Sequence, residues 1–286
     1  MNAPLSRPRT AFLRRLLADR RAALSLAYLG LLLALAVLAP WVAPHSPIEQ
    51  DYSQVLTPPM ASHWLGTDDV GRDILSRLIH GTPASLFASL FSVGVAVLLG
   101  LPIGLFAGYV GGWIDDVIGR AIDSLLAFPA IVLAIGVTGA LGINLFNAMF
   151  AIGLVFAPVL ARLVRAQTLV VKNELYVDAI RCLGAGHVRI LIRHVIPNVI
   201  QPVIVQVTLL LAAALLAEAS LSFLGLGVQP PAPSWGGMLA RAYNYMEISP
   251  WQIYPPGIAI LLTALAFNSL GESLRNLLDP TARRSE

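Results

Sequence analysis

Thirty-eight consecutive residues, Ser124 to Ala161, carry no charged side chain. As one helix rising 1.5 Å per residue, the stretch would reach about 57 Å, nearly twice the roughly 30 Å hydrocarbon core of a bilayer. It must therefore fold back on itself. Gly142-Ile143-Asn144 is the only turn-like cluster near its middle, which gives spans Leu125–Leu141 and Leu145–Leu163. Pro129 and Pro158 are expected to kink these spans, with neighbouring helices satisfying the freed carbonyls. A second uncharged run covers Leu78 to Ile114 and supplies a span over Ser85–Ala107. Gly94, Gly100 and Gly104 lie on it, the last two forming a GxxxG pair suited to close helix approach in lipid.

Only 12% of the 286 residues are charged and 57% are hydrophobic, whereas soluble domains carry about 25% charged residues. Three more apolar stretches, Leu24–Val42, Val199–Ala217 and Ile253–Leu270, bring the expected total to six transmembrane helices in an all-α polytopic membrane protein. The first is too long for a cleaved signal peptide, whose apolar region runs about 7–15 residues, and it reaches Trp41 at the interface. It reads as an anchor. The chain divides into a basic tail (1–21), the anchor (22–44), a connection with an amphipathic helix (45–84), a five-helix core (85–275) and a second tail (276–286).

Orientation follows from Lys and Arg alone. Sixteen of the nineteen fall on the side that holds both termini, Arg120 and the loop around 166–197; Arg72, Arg77 and Arg241 fall on the other. The first side is therefore expected to be cytoplasmic, in a multi-pass membrane protein. The net charge of +3 sits in these flanks, which speaks for lipid and against a nucleic-acid partner.

In the connection, Pro44, Pro47, Pro58 and Pro59 rule out regular structure at first. Thr67 or Asp68 then caps a helix in which Ile74, Leu75, Leu78 and Ile79 share one face. A metal site from His63, Asp68, Asp69 and Asp73 matches no usual spacing, and capping with interface packing accounts for them better. Asp116 and Arg120 stand at i, i+4 and are expected to pair. The single cysteine, Cys182, excludes an internal disulfide and reads as a small packing residue. Glu218, at the end of the fifth span, is the one carboxylate embedded there. It is a candidate for a pathway or gate, with a water-facing end position as the alternative.

The segment Glu174–Asn198 stands out between two apolar blocks. Tyr176, Ala179, Ile180 and Leu183 fall at helical spacing on one face, with Asp178, Arg181 and Cys182 opposite. Gly184 and Gly186 end or bend this helix, and a second run, His187–Val195, is expected to close at Pro197. An amphipathic helix at a membrane surface suits docking in a partner's groove, and a solvated loop helix is the alternative.

Asp178-Ala179-Ile180, Gly184 and Ile196-Pro197 resemble the EAA loop of bacterial ABC-importer permeases, with Asp178 and Ile180 in place of the family's Glu and second Ala. The His194–Pro197–Asn198 ending, the HWLGTDDVGRD string from His63 and SLSFLGLG from Ser220 resemble the C-type permease subunits of dipeptide, oligopeptide and nickel importers. The resemblance implies a type I ABC-importer permease fold with a cytoplasmic coupling helix. It assigns ATPase coupling to Glu174, Tyr176, Asp178, Ala179, Ile180, Leu183, Gly184, His194, Pro197 and Asn198. It further implies a second homologous permease as heterodimer partner, two ATPase subunits holding ATP and magnesium, and an extracytoplasmic solute-binding protein. No cofactor or metal is expected on this chain itself.

The lone lysine, Lys172, lies outside any GxxxxGK[ST] setting, and HExxH and GxSxG are absent, so the chain reads as a transport subunit and not an enzyme. An ATP-independent secondary transporter or channel is the alternative, and it predicts paired ionisable residues near the bilayer midplane.

Overall fold

The computed structural model describes residues 14–278. Helix α1 (Arg20–Val42) begins at Asp19, whose carboxylate accepts from the Arg21 amide at 3.0 Å and from Ser273 Oγ at 2.5 Å. That second bond fastens the anchor to the last helix, α10 (Tyr254–Leu278), and Tyr28 bonds Thr263 in the same seam. The chain's opening arginines Arg7 and Arg9, and Arg283 and Arg284 at its end, lie outside the described residues.

Helix α2 (Ile74–Val110) is one continuous element of 37 residues, about 55 Å long. The expected break between a connecting helix and a span at Ser85 is not there. Its cap is Asp73, which accepts from the Ser76 amide at 2.7 Å, and neither Thr67 nor Asp68 serves. Thr67 instead bonds Thr57 within the connection, and Asp68 faces Arg72 and Arg77.

Helices α3 (Gly112–Ala127) and α4 (Ala130–Leu141) meet at 92°. Pro129 disfavours the helical conformation at Phe128, which is extended; the kink expected at Pro129 is thus a full break. Gly142, with φ +98°, and Asn144, capping α5 (Leu145–Lys172), make the turn expected there.

Helices α2 and α5 pack along small residues at matched spacing. A Cβ at Gly100 would sit 2.6 Å from the Ala157 carbonyl, one at Gly104 would overlap the Ala161 carbonyl, and one at Gly108 would sit 2.8 Å from the Arg165 carbonyl. Gly94 faces open space, so the GxxxG pair extends toward Gly108 instead. Because both sets of positions rise together, the two helices are parallel. The chain must cross back between them, so the bent α3–α4 pair is a crossing in its own right. With five unbroken spans among the described residues, this gives six.

After α5 come the short helix α6 (Leu175–Cys182), α7 (His187–Ile190), a π-helical stretch Leu191–Val195, and α8 (Ile196–Phe223). From His187 to Phe223 the helix is unbroken. Pro197 does not close the segment. It lies inside this continuous helix, just after the π-helical stretch, whose wider turn accommodates its ring. Helix α9 (Trp235–Asn244) folds back on the opposite membrane face before α10.

Candidate functional site

The α6–α7 segment is joined to the membrane helices by a small apolar core. Val177, Ile190, Val195 and Val199 are fully buried with Leu160 and Val164 of α5. Ile180 packs at its edge. Two polar links add direction. Asn198 Nδ2 donates to the Tyr176 hydroxyl at 3.1 Å and to the His194 carbonyl at 2.7 Å, in the stretch where the π turn disturbs the regular ladder. Tyr109, at the end of α2, bonds the His187 ring at 3.1 Å and the His187 carbonyl at 3.2 Å. Partial burial and the Glu174 carboxylate push the Tyr176 phenol above its ordinary pKa. These groups join the α6–α7 segment to α2, α5 and α8.

The other side of α6 is bare. Leu175 and Leu183 are 86% and 87% exposed, and Tyr176 and Ala179 also face outward. The expected stripe is therefore split: Ile180 turns partly inward beside Val177, Tyr176 is tied to Asn198 through its hydroxyl, and Ala179 and Leu183 stay free. Asp178 pairs with Arg181 at 2.9 Å on the surface. Glu174 is the N-cap residue, although its side chain makes no capping bond. Gly184 ends the helix at φ +83°, with its amide bonding the Arg181 carbonyl and Ala185 reaching back to the Ile180 carbonyl, a Schellman-type stop. No atom crowds a Cβ there; only the backbone conformation calls for glycine. Cys182 is exposed and is not a packing residue.

Residues 100–284 match the family described as the binding-protein-dependent transport system inner membrane component. The chain belongs to this family. Residues 8–59 match the N-terminal transmembrane domain of oligopeptide transport permease C, in line with the resemblance read from the motifs. The di/tripeptide transport system permease protein DppC of Pseudomonas aeruginosa is 44% identical, over 91% of this chain and 88% of that protein. The glutathione transport system permease protein GsiD of Pectobacterium atrosepticum is 42% identical, over 96% and 91%. The dipeptide permease DppC of Alkalihalophilus pseudofirmus is 41% identical, over 95% and 89%. In fold, the chain is similar to one from the inward-facing MetNI methionine ABC transporter, at TM-score 0.61 and 17% identity, over 72% of this chain and 98% of that one. It is thus a membrane-embedded permease component of a binding-protein-dependent ABC importer.

On the permease's face toward α6, ion pairs bind α3 to α5. Arg165 forks onto both oxygens of Asp115, and Arg162 meets Asp123. The expected Asp116–Arg120 pair does not form; both are exposed, and neither has an ion-pair partner among the described residues. A single residue, about 100° around the helix, separates the correct acid from its neighbour, and the 50-residue gap to Arg165 hid the true partner. Lys172 Nζ closes the same end by donating to the Gly108 carbonyl at 2.6 Å.

On the opposite face Glu218 is fully buried, not water-facing. Its Oε1 accepts from Ser222 at 2.8 Å and from Ser234, the cap of α9, at 3.0 Å, and the carboxyl lies against Gly236. Trp235 next to it donates from its amide to Ser85 and from its indole to the Leu78 carbonyl, both at 3.0 Å. Glu218 therefore holds α9 between α8 and α2. Glu218→Ala is expected to lower stability by about 2–4 kcal/mol, since it opens a cavity and strands two buried hydroxyls. Glu218→Gln keeps the acceptor and should retain most of the stability. Thermal unfolding of the purified variants in detergent checks the pair.

Proposed function

We propose that this chain is one of two homologous permease subunits lining the pathway of an ATP-driven importer for di- or oligopeptides or related small solutes. The cargo class is supported by the relatives named for dipeptides, di/tripeptides and glutathione, at 41–44% identity over nearly the whole chain. The observation that carries the coupling role is the bare face of α6, with Leu175 and Leu183 unpartnered on an element anchored to three membrane helices. Such a face suits a groove in an ATPase subunit. ATP and magnesium belong to two such subunits, which carry out hydrolysis, while a solute-binding protein delivers cargo from the other side. Both termini and α6 are cytoplasmic, following the Lys and Arg count.

In the transport cycle, closure of the ATPases draws α6 with them. The Tyr176–Asn198 and Tyr109–His187 links pass that motion to α8 and α2, and the pathway alternates its access. Residues 174–198 carry the coupling, and Glu218 braces the opposite gate by fixing α9. Mild-detergent purification of the tagged chain, coexpressed with its genetic neighbours, tests the assembly by mass spectrometry. Recovery with a second permease and ATPase subunits is expected. A folded chain that supports uptake and is recovered alone would favour an ATP-independent transporter.

A further inference from the structure

The connection between α1 and α2 brings together three side chains that spacing alone does not group. One ring nitrogen of His45, one of His63 and a carboxylate oxygen of Asp73 lie within 4.8 Å of one another. Asp68 and Asp69, which share the same stretch of sequence, are engaged by Arg72 and Arg241 and take no part. We propose that His45, His63 and Asp73 form a binding site for a zinc-class divalent transition ion that clasps the connection to the start of α2.

The ligand set is chemically selective. Two imidazoles with one carboxylate suit zinc and its neighbours over magnesium or calcium, which prefer all-oxygen sites, and three protein ligands leave one position for water. The separation of His63 Nδ1 from Asp73 Oδ1 is 3.0 Å. Adjacent donors on a tetrahedral zinc ion with 2.0–2.1 Å bonds stand about 3.3 Å apart. The third donor, His45, is exposed; its ring lies tilted by 35° against that of His63, with centroids 4.7 Å apart, and among the described residues only the Ser62 carbonyl holds it by a hydrogen bond.

The surroundings orient these donors as supporting groups do at metal sites. His45 Nε2 lies 2.9 Å from the Ser62 carbonyl. A carbonyl only accepts, so this contact puts the proton on Nε2 and leaves the Nδ1 lone pair free. Asp73 commits Oδ2 to the amide and hydroxyl of Ser76, both at 2.7 Å, which leaves Oδ1 to face His63. Ser76 Oγ in turn accepts from the His45 amide at 3.0 Å, so one serine positions two of the three ligands. These residues lie at the α2 end remote from α6, on the side where an ion would enter from outside the cell.

The experiment uses the full chain, freed of its purification tag, in lipid nanodiscs after chelation. Cobalt(II) is titrated while its visible d–d absorption is recorded, and zinc is then added in competition. One equivalent of cobalt is expected to bind with a tetrahedral-type band that zinc abolishes, and zinc should raise the unfolding temperature. His45→Ala, a change at an exposed position, should fold normally and weaken binding by about tenfold or more. It should also lose the zinc-dependent rise in unfolding temperature. His63→Gln gives a second variant at the buried ligand. Absence of the band in the wild-type chain, or unchanged titration in folded His45→Ala, overturns the site. Neither result depends on ATPase partners or cargo.

Discussion

Replacing Leu183 with aspartate is expected to abolish ATP-driven uptake while leaving the permease folded and inserted. Leu183 is 87% exposed and touches none of the core that holds α6 in place. The substitution therefore costs the isolated chain little. If α6 docks in an ATPase groove, the same carboxylate becomes a buried charge without a partner, and interface anchors of this kind carry 2 kcal/mol or more. A loss of that size weakens association by about thirtyfold. Uptake of a radiolabelled dipeptide in a deletion strain, with membrane levels checked by immunoblot, reads the outcome directly. Uptake unchanged at equal protein level would remove α6 from the coupling pathway. Val177→Ala provides the contrast. Val177 is fully buried against α5 and α8, so its truncation should lower the stability of the chain itself, by about 1–3 kcal/mol.

The same helix shows where sequence stops being informative. Helical spacing identifies Tyr176, Ala179 and Leu183 as neighbours, because periodicity is a property of the local backbone. It cannot say whether their face points into this chain or away from it. That is decided by the valine cluster on α5 and α8, which captures Val177 and leaves the stripe outside. Pro129 was legible as a distortion, but the 92° angle was not, nor were the ties of α3 to α5 through Asp115–Arg165 and Asp123–Arg162. Those partners are 50 and 39 residues apart, beyond any local pattern. Sequence left Glu218 between a gate and a water-facing end, because its burial comes from α9 folding back over it, with Ser234 as the contact. His45 escaped notice for the same reason, lying 18 residues from His63 across a proline-rich connection.

Gly104→Leu is expected to prevent assembly of the helix core. On α2, Gly104 sits so close to α5 that a Cβ would overlap the Ala161 carbonyl and lie 2.7 Å from Val164 Cβ. Backbone cannot rotate out of the way as a side chain tip can, so the two helices would have to separate. Separation would also undo the contacts at Gly100 and Gly108, which lie on the same stripe. Overpacking typically costs about 1–3 kcal/mol where side chains can yield, and more where they cannot. Alanine makes the sharper comparison, because in an unconstrained helix Gly→Ala stabilises by roughly 0.5–1 kcal/mol. Gly136 on α4 has no atom within 4 Å of a built Cβ, so Gly136→Ala should be neutral or stabilising. Gly104→Ala should instead lower the unfolding temperature, and Gly104→Leu should leave no monodisperse peak in gel filtration. Equal behaviour of the two alanine variants would mean that α2 and α5 are not locked at this stripe. The parallel pairing that makes α3 and α4 a sixth crossing would then lose its support.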